Sequence, residues 1–220
     1  MQITVREPGS ALTHFIGMIL AMFASMPLLI EVGRTGDQKA IIAITIFVLS
    51  MLLLYGASTL YHSLNLGEKK HRFFKKLDHV MIFVLIAGTY TPVCVISLGG
   101  TTGYVLLTVV WGIALAGMLF KMLWVTCPKW VSSVLYISLG WACLSVFGKL
   151  FAVLPLAAFL WLLVGGIIYT VGGVIYALKL PIFNAKHNNF GSQEILHLFV
   201  MGGSACHLIL MYFFVAEMPA

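Results

Sequence analysis

Seven stretches of this chain each run for about 20 residues with almost no charge, the length an α-helix needs to cross the hydrocarbon of a bilayer. They lie near Ala11–Val32, Ala40–His62, His79–Leu98, Tyr104–Val125, Trp130–Phe151, Leu156–Leu178 and Glu194–Ala216. Backbone N–H and C=O groups cannot be left open in lipid, so such a stretch has to be helical. Only 9% of the 220 residues are charged and 61% are hydrophobic, against roughly 25% charged in a soluble domain. The expected fold is all-α: a polytopic membrane protein whose seven transmembrane helices form one bundle, a single domain over residues 1–220. The connectors are short. Pro155 and Pro181 stand where helices begin and end, and Thr101-Thr-Gly103 and Thr126-Cys-Pro128 read as tight turns. No added soluble domain, linker or repeat is visible. The first stretch is too long for the core of a removable signal peptide and is read as a span.

Charge is placed unevenly. With seven spans, Arg6, Lys69, Lys70, Arg72, Lys75, Lys76, Lys121, Lys129, Lys179 and Lys186 share one side, and only Arg34, Lys39 and Lys149 take the other. Such an excess marks the cytoplasmic side, so the N-terminus is expected in the cytoplasm and the C-terminus outside. Lys69 to Lys76 reads as a basic loop. The net charge of +6 reflects that cluster and suits an anionic inner leaflet; membrane lipid is the expected partner, and nucleic acid is not. Cys94, Cys127, Cys143 and Cys206 stand singly, without paired spacing, and read as small packing residues. Glycine pairs at 165–166, 172–173 and 202–203 read as close helix contacts. Pro92 should loosen the third span.

Against this background three segments bring ligand-type side chains to one level. Ser58-Thr-Leu-Tyr-His62 closes the second span, Lys76-Leu-Asp78-His79 opens the third, and Ser192-Gln-Glu-Ile-Leu-His197 begins the seventh. In the expected topology all three lie at the cytoplasmic end. Ionisable groups in a span are expensive unless paired or functional. Ser58 and His62 are four residues apart and share a helical face, as do Gln193 and His197. Asp78 sits where desolvation begins and stays ionised only beside a metal or a cation. Imidazole and carboxylate together suit zinc, and a catalytic zinc site keeps a position for water, whose pKa falls to about 7. Ser58 is placed to orient a ligand through a hydrogen bond. The competing reading is a polar cluster that pins three helices together. His14 either faces this site or lies at the interface. His207, about 15 Å deeper than His197, either lines a cavity or bonds a neighbouring helix. His79 points about 100° away from Asp78 on a helix, and His71 and His187 read as solvated loop residues.

These residues resemble the pattern of the hemolysin III family, which belongs with the progestin and adipoQ receptors and more distantly with alkaline ceramidases. The strings that carry the resemblance are Glu7-Pro-Gly-Ser-Ala-Leu-Thr-His14, Ala57-Ser-Thr-Leu-Tyr-His62-Ser, Lys76-Leu-Asp78-His79, Ala87-Gly-Thr-Tyr-Thr-Pro92, Phe190-Gly-Ser-Gln-Glu-Ile-Leu-His197-Leu-Phe-Val and Gly202-Gly-Ser-Ala-Cys-His207. They occur in order along nearly the whole chain. The resemblance implies a zinc ion near the cytoplasmic face, with His62 and His197 as ligands and Asp78 as a ligand or as the carboxylate that positions a zinc-bound water. The family usually has His-x-x-x-His at the start of the last helix, and this chain departs from it with Gln193 at the first of the two positions. Three arrangements follow: Asp78 or Glu194 coordinates directly, the metal binds weakly, or the site is metal-free with Gln193 bonded to His62 or Asp78.

The resemblance implies hydrolysis of a lipid amide or ester by zinc-activated water, with Asp78 as base. Two other readings are a membrane-perturbing hemolysin-like protein without enzymatic activity and a metal-free membrane sensor. A retinal protein is excluded, because the last span has no lysine for a Schiff base. Compact loops point to a bacterial plasma-membrane protein.

Overall fold

The computed structural model describes residues 5–179 and 190–218; the helix end expected at Pro181, Lys186 and the His187 loop position lie outside them. The helices are α1 (Pro8–Thr35), α2 (Gln38–Ser63), α3 (Glu68–Pro92), α4 (Gly100–Leu123), α5 (Lys129–Gly140), α6 (Phe147–Val153), α7 (Leu156–Leu178) and α8 (Ser192–Leu210). A π-helical turn, Val93–Leu98, extends α3, and another, Met211–Val215, extends α8. A 3₁₀ segment, Trp141–Val146, joins α5 to α6. Counting α5 and α6 as one, seven helices are long and apolar enough to cross a membrane. There is no strand among the described residues.

The sequence of α1 shows why the bundle packs as it does. Ser10, Ala11, His14, Gly17, Ala21, Ser25, Leu28 and Val32 form its buried stripe, while Leu12, Phe15, Ile16, Leu20 and Phe23 face outward. Large apolar side chains gain little by leaving lipid, so spans meet through small and polar residues. The same logic operates between α7 and α8. A Cβ at Gly203 would stand 2.9 Å from the Tyr169 ring, so glycine there permits the close approach. The turn from α1 into α2 is locally encoded. Gly36 takes a left-handed φ of 70° at the end of α1, and Asp37 Oδ1 caps α2 by accepting from the N–H groups of Lys39 at 2.9 Å and Ala40 at 3.3 Å. Helix α1 packs on α2, α2 on α3, α3 on α4, and α7 on both α5 and α8; α8 also meets α1, which closes the ring.

Several local expectations are corrected. The third helix starts at Glu68, not near His79, so the basic run Lys69 to Lys76 is helical. Hydropathy registers only the part of a helix in lipid, whereas Lys and Arg are good helix formers and continue it outward. Asp78 is therefore well inside α3. Thr101 to Gly103 is the first turn of α4; the reversal occurs at Gly99 and Gly100, whose φ values are +56° and +50°. The fifth span is broken where Tyr90 intervenes. Its hydroxyl donates to the Gly140 carbonyl at 2.6 Å and accepts from the Cys143 N–H at 2.9 Å, two groups that an unbroken helix would use along its own axis. Pro92, with no N–H for the Gly88 carbonyl, stands where α3 passes into its π turn. Lys121 is not a loop cation but fully buried. Its Nζ donates to Ser132 Oγ at 2.5 Å and Cys127 Sγ at 3.1 Å, so Cys127 is more than packing.

Candidate functional site

One end of the bundle gathers His14 from α1, His62 from α2, Asp78 from α3 and His197 from α8, all buried. The rings of His14 and His197 stack, with centroids 3.7 Å apart and planes 6° from parallel. His62 meets His197 edge-on at 5.2 Å.

His62 is held by the segment that leads into α1. The Glu7 N–H donates to the His62 carbonyl at 3.0 Å, and Glu7 Oε2 accepts from His62 Nδ1 at 2.5 Å. An ionised carboxylate only accepts, so Nδ1 carries the proton and the lone pair of the neutral ring lies on Nε2. That Nε2 is buried and has no hydrogen-bond partner among the described residues. The hydrogen bond from His62 holds the Glu7 carboxyl below its ordinary range, against the opposing effect of burial.

His197 is held in the same sense. Its Nδ1 lies 3.2 Å from the Ser10 carbonyl and 3.0 Å from Thr13 Oγ1, whose own proton goes to Ser10 O. A carbonyl cannot donate, so Nδ1 again carries the proton. The Nε2 lone pair receives the Gln193 amide, Nε2 to Nε2, at 3.1 Å. Glu194 is engaged elsewhere. Its Oε2 accepts from the Gly191 N–H at 2.8 Å, capping α8, and its Oε1 accepts from the Ser10 hydroxyl. Ser58 is fully buried, and its Oγ has no partner among the described residues.

Asp78 Oδ2 lies 3.4 Å from His79 Nδ1, so the neighbour that helix geometry would turn away stays within reach. Asp78, His79 and Gln193 line one end of an interior cleft whose walls include Ile82, Tyr136 and Tyr169 and which also reaches His207. His207 Nε2 donates to the Leu162 carbonyl at 3.3 Å, so it both lines the cleft and ties α8 to α7. His71 is not in a loop. It lies in the first turn of α3, beside Arg6 and against the Tyr61 ring at 4.9 Å.

Two imidazoles with their lone pairs on Nε2, a third imidazole and a carboxylate are donor types that zinc takes. The residues that could hold such an ion are His62, His197, Asp78 and His14. As the side chains stand, no three His, Cys, Asp or Glu among the described residues form a ready coordination group. The carboxylate on His62 and the carbonyl on His197 are the kind of outer partner that fixes a ligand's tautomer and direction.

Sequence reasoning passed over Glu7, Ser10 and Thr13 as participants. A signal was present: Glu7 and His14 are two helical turns apart and Ser10 lies between them. One face at the N-terminal end of α1 therefore carries three polar groups, Glu7 at the cap and Ser10 and His14 within the helix, ahead of a long apolar run.

The family described as "Haemolysin-III related" matches residues 2–208. Hemolysin-3 of Bacillus cereus is 39% identical over 215 residues, covering 97% of this chain and 94% of that protein. The Hemolysin-3 homolog of Bacillus subtilis (strain 168) is 38% identical over 218 residues, covering 98% of each chain. With a match along nearly its whole length and relatives alike from end to end, the chain belongs to the haemolysin III family.

Proposed function

We propose that this protein is a zinc-dependent hydrolase embedded in the plasma membrane, acting on an amide or ester bond of a lipid at the cytoplasmic end of the bundle. The observation that carries the reading is the common pinning of His62 and His197. Each ring gives its Nδ1 proton to a fixed acceptor and keeps Nε2 as a donor atom in the buried cluster near Asp78. Zinc held there by His62 and His197, with the Asp78 carboxylate beside it, would supply a Lewis acid and lower the pKa of water to about 7.

The rest is the work of the chain. Glu7 and the Ser10 carbonyl keep the two rings in the ligating tautomer. The Gln193 amide caps the His197 lone pair and turns aside when that lone pair is used. The cleft beyond Asp78 has apolar walls suited to an acyl chain, and its polar end sets the acyl linkage beside the carboxylate. Asp78 takes a proton from the attacking water as the oxygen bonds to the acyl carbon. The carbon–nitrogen or carbon–oxygen bond breaks, and the proton passes to the leaving amine or alkoxide. Ser58 offers a buried hydroxyl to the same water. The excess of Lys and Arg in segments at this end supports the cytoplasmic assignment.

Metal analysis of the purified full chain tests the reading. About one zinc per chain is expected, lost in His62→Ala and His197→Ala, with fatty-acid release from an N-acyl lipid in nanodiscs lost in Asp78→Asn. Metal at background in the unmutated protein removes the proposal. The printed names of the two Bacillus relatives favour a second reading, membrane disturbance without turnover. Dye release from liposomes that His62→Ala and Asp78→Asn leave unchanged would support that one.

A further inference from the structure

We infer that His14 supplies the third imidazole of the metal site, in the role that position 193 cannot fill with glutamine. This rests on the zinc reading above. Three observations on α1 carry it. His14 is 3% exposed, and neither ring nitrogen has a hydrogen-bond partner among the described residues. A buried imidazole always has a proton on one nitrogen and a lone pair on the other, so leaving both unanswered is unfavourable unless something else takes the lone pair. Its ring also lies flat on His197 with centroids 3.7 Å apart. Imidazole lone pairs lie in the ring plane and must converge on a shared zinc, so the His14 ring, already against His197, has to swing out of the stack for both rings to reach one ion.

Gln193 supplies the complementary fact. Its amide nitrogen sits 3.1 Å from His197 Nε2 and gives a proton to the lone pair. It therefore serves as a donor where a ligating residue must accept. A third nitrogen has to come from another helix, and among the described residues His14 is the remaining imidazole in ring contact with His197. The ion would then tie α1 to α2 and α8, with the fourth position open to water beside Asp78.

The test uses the full chain in nanodiscs, loaded with zinc and titrated against a chromophoric chelator, with X-ray absorption to count imidazoles. The variants are His14→Ala, His14→Phe, His62→Ala and His14→Ala combined with Gln193→His. Phenylalanine keeps the stacking surface on His197 and removes only the donor nitrogens, so a folded His14→Phe variant separates ligation from packing. The expected result is three imidazoles in the unmutated protein and two in His14→Phe. The affinity loss in His14→Phe should exceed the roughly 10–100-fold typical of outer-shell changes, and the double variant should recover binding. Zinc lost in His62→Ala but bound undiminished by His14→Phe would overturn the inference and leave the zinc reading standing. No zinc in the unmutated protein would overturn both.

Discussion

Glu7→Ala is the perturbation whose effect follows most directly from the geometry. Glu7 lies outside the spans, yet its carboxylate accepts the Nδ1 proton of His62 at 2.5 Å, and the His62 side chain is only 2% exposed. Truncation leaves a buried ring N–H without its acceptor, a loss of about 1–3 kcal/mol for a buried donor. Glu7 itself is 42% exposed, so water enters the vacated space and the charge is screened, which places the net effect near the lower end, about 1 kcal/mol. The consequence for metal is larger than for folding. With the acceptor gone, the His62 proton is free to move to Nε2 and block the donor atom, and loss of such an outer partner lowers metal affinity roughly 10–100-fold. Glu7→Gln keeps an acceptor oxygen and should fall between the two. Three measurements apply: zinc affinity by chelator competition, stability by SDS titration, and the His62 tautomer by nitrogen-15 NMR of the metal-free protein. The order for both affinity and the Nδ1–H tautomer should be Glu7, then Gln, then Ala. An unchanged His62 tautomer in Glu7→Ala would refute the reasoning, whatever happened to metal. The sign with pH is also set. A carboxyl held below its ordinary range stabilises the fold above the unfolded value, 4.5 here, and that stability is lost as pH falls through the folded value.

Four further outcomes are expected, each read by SDS unfolding of the purified protein. Gly203→Val pushes a branched side chain into the Tyr169 ring and should lower stability by about 1–3 kcal/mol through forced separation of α7 and α8. Tyr90→Phe removes the hydroxyl that serves Gly140 O and Cys143 N–H, and should cost about 1–3 kcal/mol as those groups at the break in the fifth span lose their partner. Lys121→Met should cost under about 1 kcal/mol, because Cys127 Sγ and Ser132 Oγ lie 3.4 Å apart and can bond each other. Ser132→Ala should cost about 1.5–3 kcal/mol by taking the nearer acceptor from a buried ammonium.

The number of spans and their approximate ends could be read along the chain, because lipid forces each apolar stretch to close its own backbone hydrogen bonds. The level of His62, Asp78 and His197 could be read too, since each lies near a span end on the same side of the count. What lay beyond local pattern was rotation. His14 sits in a helix whose polar stripe is only Ser10, His14 and Ser25 among small residues, and nothing in the sequence of α1 says which neighbour that stripe faces. The partnership of Glu7 with His62 joins residues 55 positions apart, and that of Ser10 with His197 joins residues 187 apart. Lys121 reads as a loop cation until α5 is packed beside α4. Such contacts depend on how the first and last spans close around the interior, and closure is decided by shape complementarity over the whole bundle. Hydropathy tells a helix that it must lie in lipid; only packing against its neighbours tells it which way to turn.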